Sequence, residues 1–119
     1  MSDFDVYFNP NCSKCRIALD AIHSSGMDPN VVRYLDNPIG EETLREIIAI
    51  LTDPVEDLVR KDRNFQSLAL NSSDYKDEES VIGLLLAHPE LMQRPVVVKN
   101  GRATIVRSQE KIDEVLSAS

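Results

Sequence analysis

Cys12 and Cys15 are the two cysteines of this 119-residue chain, and two residues separate them. A disulfide between them would close a very small loop and would stabilise the fold little, so a structural bridge explains the pair poorly. Two small buried hydrophobic side chains are the plainer alternative, since free cysteines are often interior. Because a C-x-x-C pair at the start of a helix is typical of thiol redox proteins, we interpret Cys12 as a redox-active thiol and Cys15 as a candidate resolving thiol.

The residues around Cys12 favour its reactive thiolate form. A turn at residues 9–11 precedes the cysteine, and the spacing of apolar residues predicts a helix over residues 13–25. The unpaired backbone N–H groups and the dipole at a helix N-terminus stabilise negative charge. Lys14 and Arg16 add cationic side chains nearby. We therefore expect a stabilised thiolate at Cys12.

A zinc site is the second interpretation of a C-x-x-C pair. Zinc would need two further ligands, and the two histidines, His23 and His88, each stand alone in their segments. We therefore expect no metal ion and no other bound cofactor.

The composition limits the classes of partner. A net charge of −7 predicts no nucleic-acid partner, because phosphate binding needs basic patches. No apolar run approaches the roughly 20 residues of a membrane span, and the acidic N-terminus does not resemble a secretory signal. We expect a cytoplasmic monomer with no membrane contact, folded as a single domain over residues 1–119.

Strand and helix patterns alternate at both ends of the chain. Strands are predicted at residues 4–8, 30–35, 94–98 and 103–106, with a parallel βαβ unit first and a hairpin at Asn100-Gly101 last. Ser108 is the predicted cap of a final helix. The order is βαβ, helices, then ββα, which predicts an α/β, thioredoxin-like fold: a four-stranded mixed sheet with an all-helical insertion between the second and third strands, at about residues 40–90.

Helical patterns fill that insertion. One amphipathic helix is predicted over residues 41–51, and a largely apolar one over residues 78–88. Between them, Asp53 as cap and Pro54 at the first helical position predict a short helix to about Arg60. The polar connection at residues 61–76 has room for one helical turn at Phe65, Leu68 and Leu70.

Three arginines stand at junctions between predicted elements: Arg60, Arg94 and Arg107. They could be ordinary solvated side chains. In the predicted topology, however, the loop before the hairpin passes beside Cys12. Guanidinium groups converging on a thiolate would bind a tetrahedral oxyanion and stabilise the charge that develops during its attack.

Taken together, the motifs resemble the thioredoxin-like arsenate reductases that use glutathione and glutaredoxin. The matching blocks occur in family order over nearly the whole chain, as Asn9-Pro10-x-Cys12, Tyr34-Leu35-x-Asn37-Pro38, Leu58-x-Arg60-Lys61, His88-Pro89 and Arg94-Pro95-x-Val97-Val98. The resemblance implies that Cys12 is the nucleophile, that Arg60, Arg94 and Arg107 bind the oxyanion with Asn9 beside them, and that Arg94-Pro95 is a cis peptide.

The resemblance also implies a reaction. The Cys12 thiolate attacks arsenate, an oxygen leaves as water, and a second thiol reduces arsenic(V) to arsenic(III). That thiol would come from glutathione with glutaredoxin, from a thioredoxin-type reductant, or from Cys15.

Two positions depart from the family pattern and keep other functions open. Phe8 stands where well-known members carry histidine, and Cys15 where they usually carry no thiol. The complete C-x-x-C also fits a general glutaredoxin-like disulfide reductase. A third alternative is an Spx-like regulator that senses disulfide stress by binding RNA polymerase.

Overall fold

The structure is a computed structural model that describes residues 4–117, and its centre is a four-stranded mixed sheet. The strands are β1 (Phe4–Tyr7), β2 (Asn30–Val32), β3 (Val96–Lys99) and β4 (Arg102–Ile105), in the spatial order β2-β1-β3-β4. Strand β1 is parallel to β2 and antiparallel to β3, and β3 is antiparallel to β4. The predicted βαβ and ββ units are therefore confirmed.

Among residues 4–117 the chain forms five α-helices in addition to this sheet. They are α1 (Ser13–Ser24), α2 (Glu41–Ala49), α3 (Arg63–Ser67), α4 (Glu78–Ala87) and α5 (Gln109–Ser117), with short 3-10 turns at Val55–Leu58, Ser72–Asp74 and Pro89–Leu91. All the named elements between β2 and β3 are α-helices or 3-10 turns, as the predicted helical insertion requires. No helix among residues 4–117 is long and apolar enough to cross a membrane.

The sheet separates two hydrophobic cores, because successive side chains of a strand point to opposite faces. Val6 and Val97 pack with α1 and α5 on one face, and this core contains both cysteines. Tyr7 and Val96 pack with α2 and α4 on the other face. The redox pair therefore lies in the smaller core, beneath the first turn of α1.

The hairpin and the last helix have the predicted turn chemistry. Asn100 and Gly101 both have positive φ, 54° and 74°, as a two-residue hairpin turn requires. The Ser108 hydroxyl accepts a hydrogen bond from the Lys111 N–H at 3.2 Å and so caps α5.

The second strand is shorter than predicted. It ends at Val32, whereas the sequence predicts a strand to Leu35. The N–H groups of Asp36 and Asn37 both donate to the Arg33 carbonyl, at 3.1 and 2.9 Å, so the chain turns before it can extend the strand. The turn leaves Tyr34 buried and Leu35 exposed.

The predicted helix from Asp53 to Arg60 is wrong in type and length, and only a 3-10 turn over Val55–Leu58 forms. Its expected cap is used elsewhere: the Asp53 carboxylate accepts the Ile105 N–H at 3.0 Å, beside the end of β4. Val59 then pairs as an isolated bridge with Met92. The first contact ties the start of the segment to β4 and the second ties its end to the chain before β3, so the segment does not continue as a full helix.

The connection at residues 61–76 holds more structure than the single predicted turn. Asp62 caps α3 through the Phe65 N–H at 3.1 Å, and Asn71 caps the next turn through the Ser73 N–H, also at 3.1 Å. Phe65 is buried as its apolar anchor, while Leu68 lies at the surface.

Candidate active site around Cys12

Cys12 is the N-cap residue of α1. Its N–H donates to the Asn9 carbonyl at 3.0 Å, and its own carbonyl accepts from the Arg16 N–H at 3.1 Å, so the residue closes the preceding turn and begins the helix. The sulfur lies at the positive end of the helix dipole. The side chain is buried, at 8% exposed, and so stands at the edge of the core rather than in open solvent.

The two thiols have opposite acid–base properties. Burial acts to raise the pKa of Cys12, but the backbone N–H and thiol of Cys15, together with Arg94, outweigh it and hold the pKa below the ordinary cysteine value. Cys15 is fully buried, and that burial, reinforced by the charge of Cys12, raises its pKa to about 12. Cys12 is therefore the more acidic of the two thiols, and Cys15 is the neutral thiol beside it.

The cation that acts on Cys12 is Arg94 rather than the two residues expected from the sequence. Lys14 donates to the Arg107 carbonyl at 3.4 Å and Arg16 to the Pro10 carbonyl at 2.9 Å. Both side chains therefore brace the backbone around the site. The sequence correctly predicts a stabilised thiolate, but partly through the wrong cations.

Arg94 is a buried arginine, 8% exposed, that follows the last 3-10 turn and is joined to Pro95 by a cis peptide. The cis geometry agrees with what the family resemblance implies. Among residues 4–117 its Nε and Nη1 atoms have no hydrogen-bond partner. A buried guanidinium with free donors beside a thiolate is suited to bind an anion at that sulfur.

Arg107 contacts Arg94, whereas Arg60 is held by an acidic partner. Arg107 donates through Nη1 to the Arg94 carbonyl at 2.7 Å, so it contacts the backbone of the buried arginine. Arg60 pairs with the Asp62 carboxylate at 2.9 Å. The structure thus brings Arg94 to Cys12 directly, joins Arg107 to Arg94, and gives Arg60 an acidic partner.

Asn9, predicted to lie beside the substrate, shapes the loop before Cys12. Its side-chain oxygen accepts the Asn11 N–H at 3.0 Å, and its carbonyl accepts the Cys12 N–H. Its substrate contact remains a prediction.

Among residues 4–117, no group of three or more histidine, cysteine, aspartate or glutamate side chains is arranged to hold a metal ion. The site is thus built from thiols and arginines.

Comparison with known proteins supports the assignment of this architecture. The model of the ArsC family matches residues 7–115. The chain belongs to the ArsC family, the thioredoxin-like arsenate reductases. It is 38% identical over 113 residues to the uncharacterized protein YfgD of Escherichia coli K12, covering 93% of this chain and 94% of that protein. It is 34% identical over 117 residues to an arsenate reductase of Yersinia enterocolitica, covering 98% of this chain and 82% of that protein.

The fold is shared with solved members of the ArsC family. An arsenate reductase structure from Vibrio cholerae superposes with a TM-score of 0.81 at 30% identity, covering 94% of this chain and 96% of that chain. The four-stranded mixed sheet predicted from the sequence is thus the thioredoxin-like sheet of this family.

Sequence reasoning did not single out Tyr34 as a candidate site residue. The tyrosine is 1% exposed, and its hydroxyl has no hydrogen-bond partner among residues 4–117. The charges that act on it include Arg94, Cys15, Cys12 and Arg60. The position of Tyr34 in the predicted βαβ unit could have indicated a role in ligand binding. Tyr34 follows the carboxyl end of β2, which lies next to the carboxyl end of β1, the parallel strand that leads to Cys12. Ligand sites are common at the carboxyl ends of parallel strands.

Proposed function

We propose that this chain reduces arsenate to arsenite, with Cys12 as the nucleophile and Arg94 as the principal oxyanion-binding residue. The observation that carries the proposal is the pairing of a helix-capping thiolate with a buried guanidinium whose Nε and Nη1 donors are unpartnered within residues 4–117. An arsenate at this position would satisfy those donors. Because some of the similar proteins are arsenate reductases, we propose arsenate rather than another oxyanion as the substrate.

In the first step the Cys12 thiolate attacks arsenic. A sulfur–arsenic bond forms, one protonated oxygen leaves as water, and arsenic stays in the +5 state. Arg94 stabilises the negative charge on the remaining oxygens, since preorganised donors are most effective in a site with little water. Arg107 holds the backbone of Arg94 in place by donating to the Arg94 carbonyl. Arg60 becomes the third oxyanion-binding arginine when the oxyanion displaces Asp62 from the Arg60 guanidinium.

In the second step another thiol attacks the Cys12 sulfur. A disulfide forms, the electron pair of the sulfur–arsenic bond passes to arsenic, and arsenic(III) leaves as arsenite. Burial raises the pKa of Cys15, so at pH 7 it is a weaker nucleophile than an ordinary solvated thiol, which is ionised to about a few per cent. We therefore assign this step to an external thiol, glutathione with glutaredoxin.

An open groove offers that thiol an approach. It has a volume of about 520 Å³, and Lys61, Gln93 and Arg107 line part of it. Three cationic side chains line the groove, Lys61, Arg107 and Lys111, against the two carboxylates of Asp53 and Asp57, and this excess of positive charge suits a small thiol that carries carboxylates, such as glutathione.

A general disulfide reductase is the second candidate, because the Cys12 and Cys15 thiols interact directly. In that function Cys15 would resolve a mixed disulfide at Cys12, and both cysteines would be essential. Arsenate reduction through an external thiol needs only Cys12.

The test is anaerobic arsenate turnover coupled to NADPH oxidation, with glutathione and glutaredoxin in one assay and thioredoxin in the other. We expect turnover with glutaredoxin, its loss in Cys12→Ser by about 1,000-fold or more, and its retention in Cys15→Ala. Thermal unfolding of Cys12→Ser is the control, because a sulfur-to-oxygen change should leave the fold intact. Absence of wild-type turnover with either reductant would contradict the proposal, and insulin reduction that requires both cysteines would favour the second candidate.

A further inference from the structure

Tyr34 presents a buried polar atom that the fold itself does not use. Its ring belongs to the core between the sheet and the α2–α4 face, and its hydroxyl is unpartnered within residues 4–117. A buried hydroxyl without a hydrogen bond destabilises a protein, whereas phenylalanine at the same place would fill the same space without that cost. The hydroxyl therefore calls for a function other than packing.

The surroundings of the ring indicate where a partner for this hydroxyl lies. On one side, Tyr34 lines a cavity of about 10 Å³ whose other walls are apolar, among them Leu44, Leu85 and Met92. This cavity is too small for an oxyanion and offers no polar group. The charged groups whose influence reaches the hydroxyl are instead those of the site, led by Arg94 and followed by the two cysteines and Arg60.

Two unpartnered groups thus lie at the same end of the sheet. Val32 and Val96 flank Tyr7 in the sheet, and Tyr34 comes two residues after Val32 while Arg94 comes two residues before Val96. Arg94 contributes two buried nitrogen atoms that lack hydrogen-bond partners within residues 4–117, and Tyr34 contributes one hydroxyl of the same kind. A phenol oxygen can accept a hydrogen bond from a guanidinium, but no such bond forms between these atoms, and a guanidinium has no acceptor for the phenol proton. A tetrahedral oxyanion has acceptor oxygens for both.

We propose that Tyr34 is a substrate-binding residue, whose hydroxyl donates a hydrogen bond to one oxygen of the tetrahedral oxyanion held between Arg94 and the Cys12 sulfur. The identity of that oxyanion as arsenate rests on the proposed function; the hydrogen bond does not. Burial raises the pKa of Tyr34 to about 12, so the phenol keeps its proton and remains a donor at neutral pH. Tyr34 adds a neutral donor to a set of cations and so binds the anion without increasing the charge of the site.

The test measures oxyanion binding without turnover. Cys12 is alkylated with iodoacetamide at increasing concentrations of arsenate and in the absence of any thiol reductant, and mass spectrometry confirms that Cys12 is the modified residue. The arsenate concentration that halves the rate is compared between the wild type, Tyr34→Phe and Tyr7→Phe. Tyr7 is the matched control, since it is equally buried but its hydroxyl is influenced by Asp5 and Glu46 instead of the site.

We expect Tyr34→Phe to raise the half-protecting arsenate concentration about 10- to 100-fold, the range for a lost hydrogen bond to a charged group. The rate without arsenate should not change, and Tyr7→Phe should match the wild type. A structural role would leave protection unaltered and change only the melting temperature, so equal protection of Tyr34→Phe and wild type overturns the inference.

The same experiment separates this inference from the proposed function. Protection that weakens in Tyr34→Phe supports the hydrogen bond even if the wild type fails to turn over arsenate. Normal arsenate turnover by the wild type, together with equal protection of Cys12 in the wild type and Tyr34→Phe, leaves the proposed function intact and rejects the role of Tyr34. Absence of protection by arsenate in the wild type also rejects Tyr34, because no oxyanion is then bound.

Discussion

Arg94 and Arg45 show how differently this chain uses two arginines. Arg45, on α2, is 38% exposed and contacts three carboxylates: Glu41 one turn earlier on the same helix, and Glu78 and Glu79 at the start of α4. Arg94 is buried and has no carboxylate partner among the ion pairs within residues 4–117; the acidic group beside it is the Cys12 thiol, whose pKa it lowers. One arginine joins two helices at the surface, and the other is held in the interior with unused donors.

The difference separates a region selected for stability from one selected for binding. An exposed ion-pair network stabilises a fold modestly and can be lost with little harm. A buried cation with unsatisfied donors is costly to fold, because the lost hydration is not replaced. The region around Cys12 accepts that cost twice, at Arg94 and at the Tyr34 hydroxyl, as expected where a ligand completes the hydrogen bonding.

Among the replacements that test this comparison, Arg94→Met should have the largest effect. Arg94→Met keeps much of the buried volume but removes every donor, so we expect kcat/KM for arsenate to fall by about 100- to 1,000-fold. The melting temperature should be unchanged or higher, because unsatisfied buried donors are removed. Steady-state kinetics and thermal unfolding measure both effects.

Arg94→Lys is the matched control for that variant. It keeps the charge but loses the planar fork of donors, and its activity should lie between those of the wild type and Arg94→Met. Full activity in Arg94→Met would remove the distinction between the two arginines.

Replacement of Cys15 by alanine should reduce the reactivity of Cys12. The variant keeps the backbone N–H at position 15 but loses the thiol that lowers the pKa of Cys12. The alkylation rate of Cys12 rises with pH until the thiolate predominates, so the midpoint of that curve should move to higher pH and the rate at pH 7 should fall several-fold. Cys15→Ser, which retains a hydroxyl donor, should move the midpoint less; an unchanged midpoint in Cys15→Ala would show that Arg94 and the helix terminus suffice.

The two regions should also lose stability at opposite ends of the pH scale. Cys15 ionises near pH 8.5 when unfolded but at about 12 when folded, so its contribution is complete below pH 8.5 and is lost as the pH rises toward 12. At pH 10 the loss amounts to at most about 2 kcal/mol, and Cys15→Ala should show a smaller decline. Urea unfolding at pH 7 and pH 10 measures it.

On the acid side the surface network should weaken instead. The hydrogen bond between Glu79 and Arg45 lowers the pKa of Glu79. The stability that this hydrogen bond contributes is therefore present above the unfolded pKa of the carboxylate and is lost as the pH falls through the lower folded value. A variant lacking Cys15 should decline on the acid side like the wild type, and equal alkaline decline in Cys15→Ala would contradict the assignment to the buried thiol.

The sequence was most informative where local chemistry determines structure. Asn100-Gly101 specifies its turn because few other residues adopt two consecutive positive φ angles, and Cys12 marks the start of α1 through the turn before it. Predictions from the sequence were weakest where a residue distant in the chain determines the local structure. Asp53 was expected to cap a helix, but the carboxylate is taken by Ile105, 52 residues later in the chain. The sequence around Asp53 does not show that the Ile105 N–H competes with a helix N-terminus for this carboxylate.

The same limit applies to the site. Arg94 could be predicted from its junction beside a proline, but its unpartnered donors follow from three-dimensional packing. Tyr34 was predicted as a strand residue, but the chain turns after Val32 and buries it, and Arg94 is the charged group with the largest effect on its hydroxyl. Lys14 and Arg16 looked like activating cations and are instead used by backbone carbonyls.

Replacement of Arg45 by alanine should have the smallest effect and so marks the other end of the comparison. Arg45→Ala removes all three ion pairs, yet exposed pairs contribute little, so we expect unchanged arsenate turnover and a melting temperature lower by less than about 5 °C. High salt should shrink that difference, because it screens exposed charges in the wild type. A large loss of turnover with the fold intact would mean that the α2–α4 contact positions the site on the other side of the sheet, and the two arginines would then belong to one functional unit.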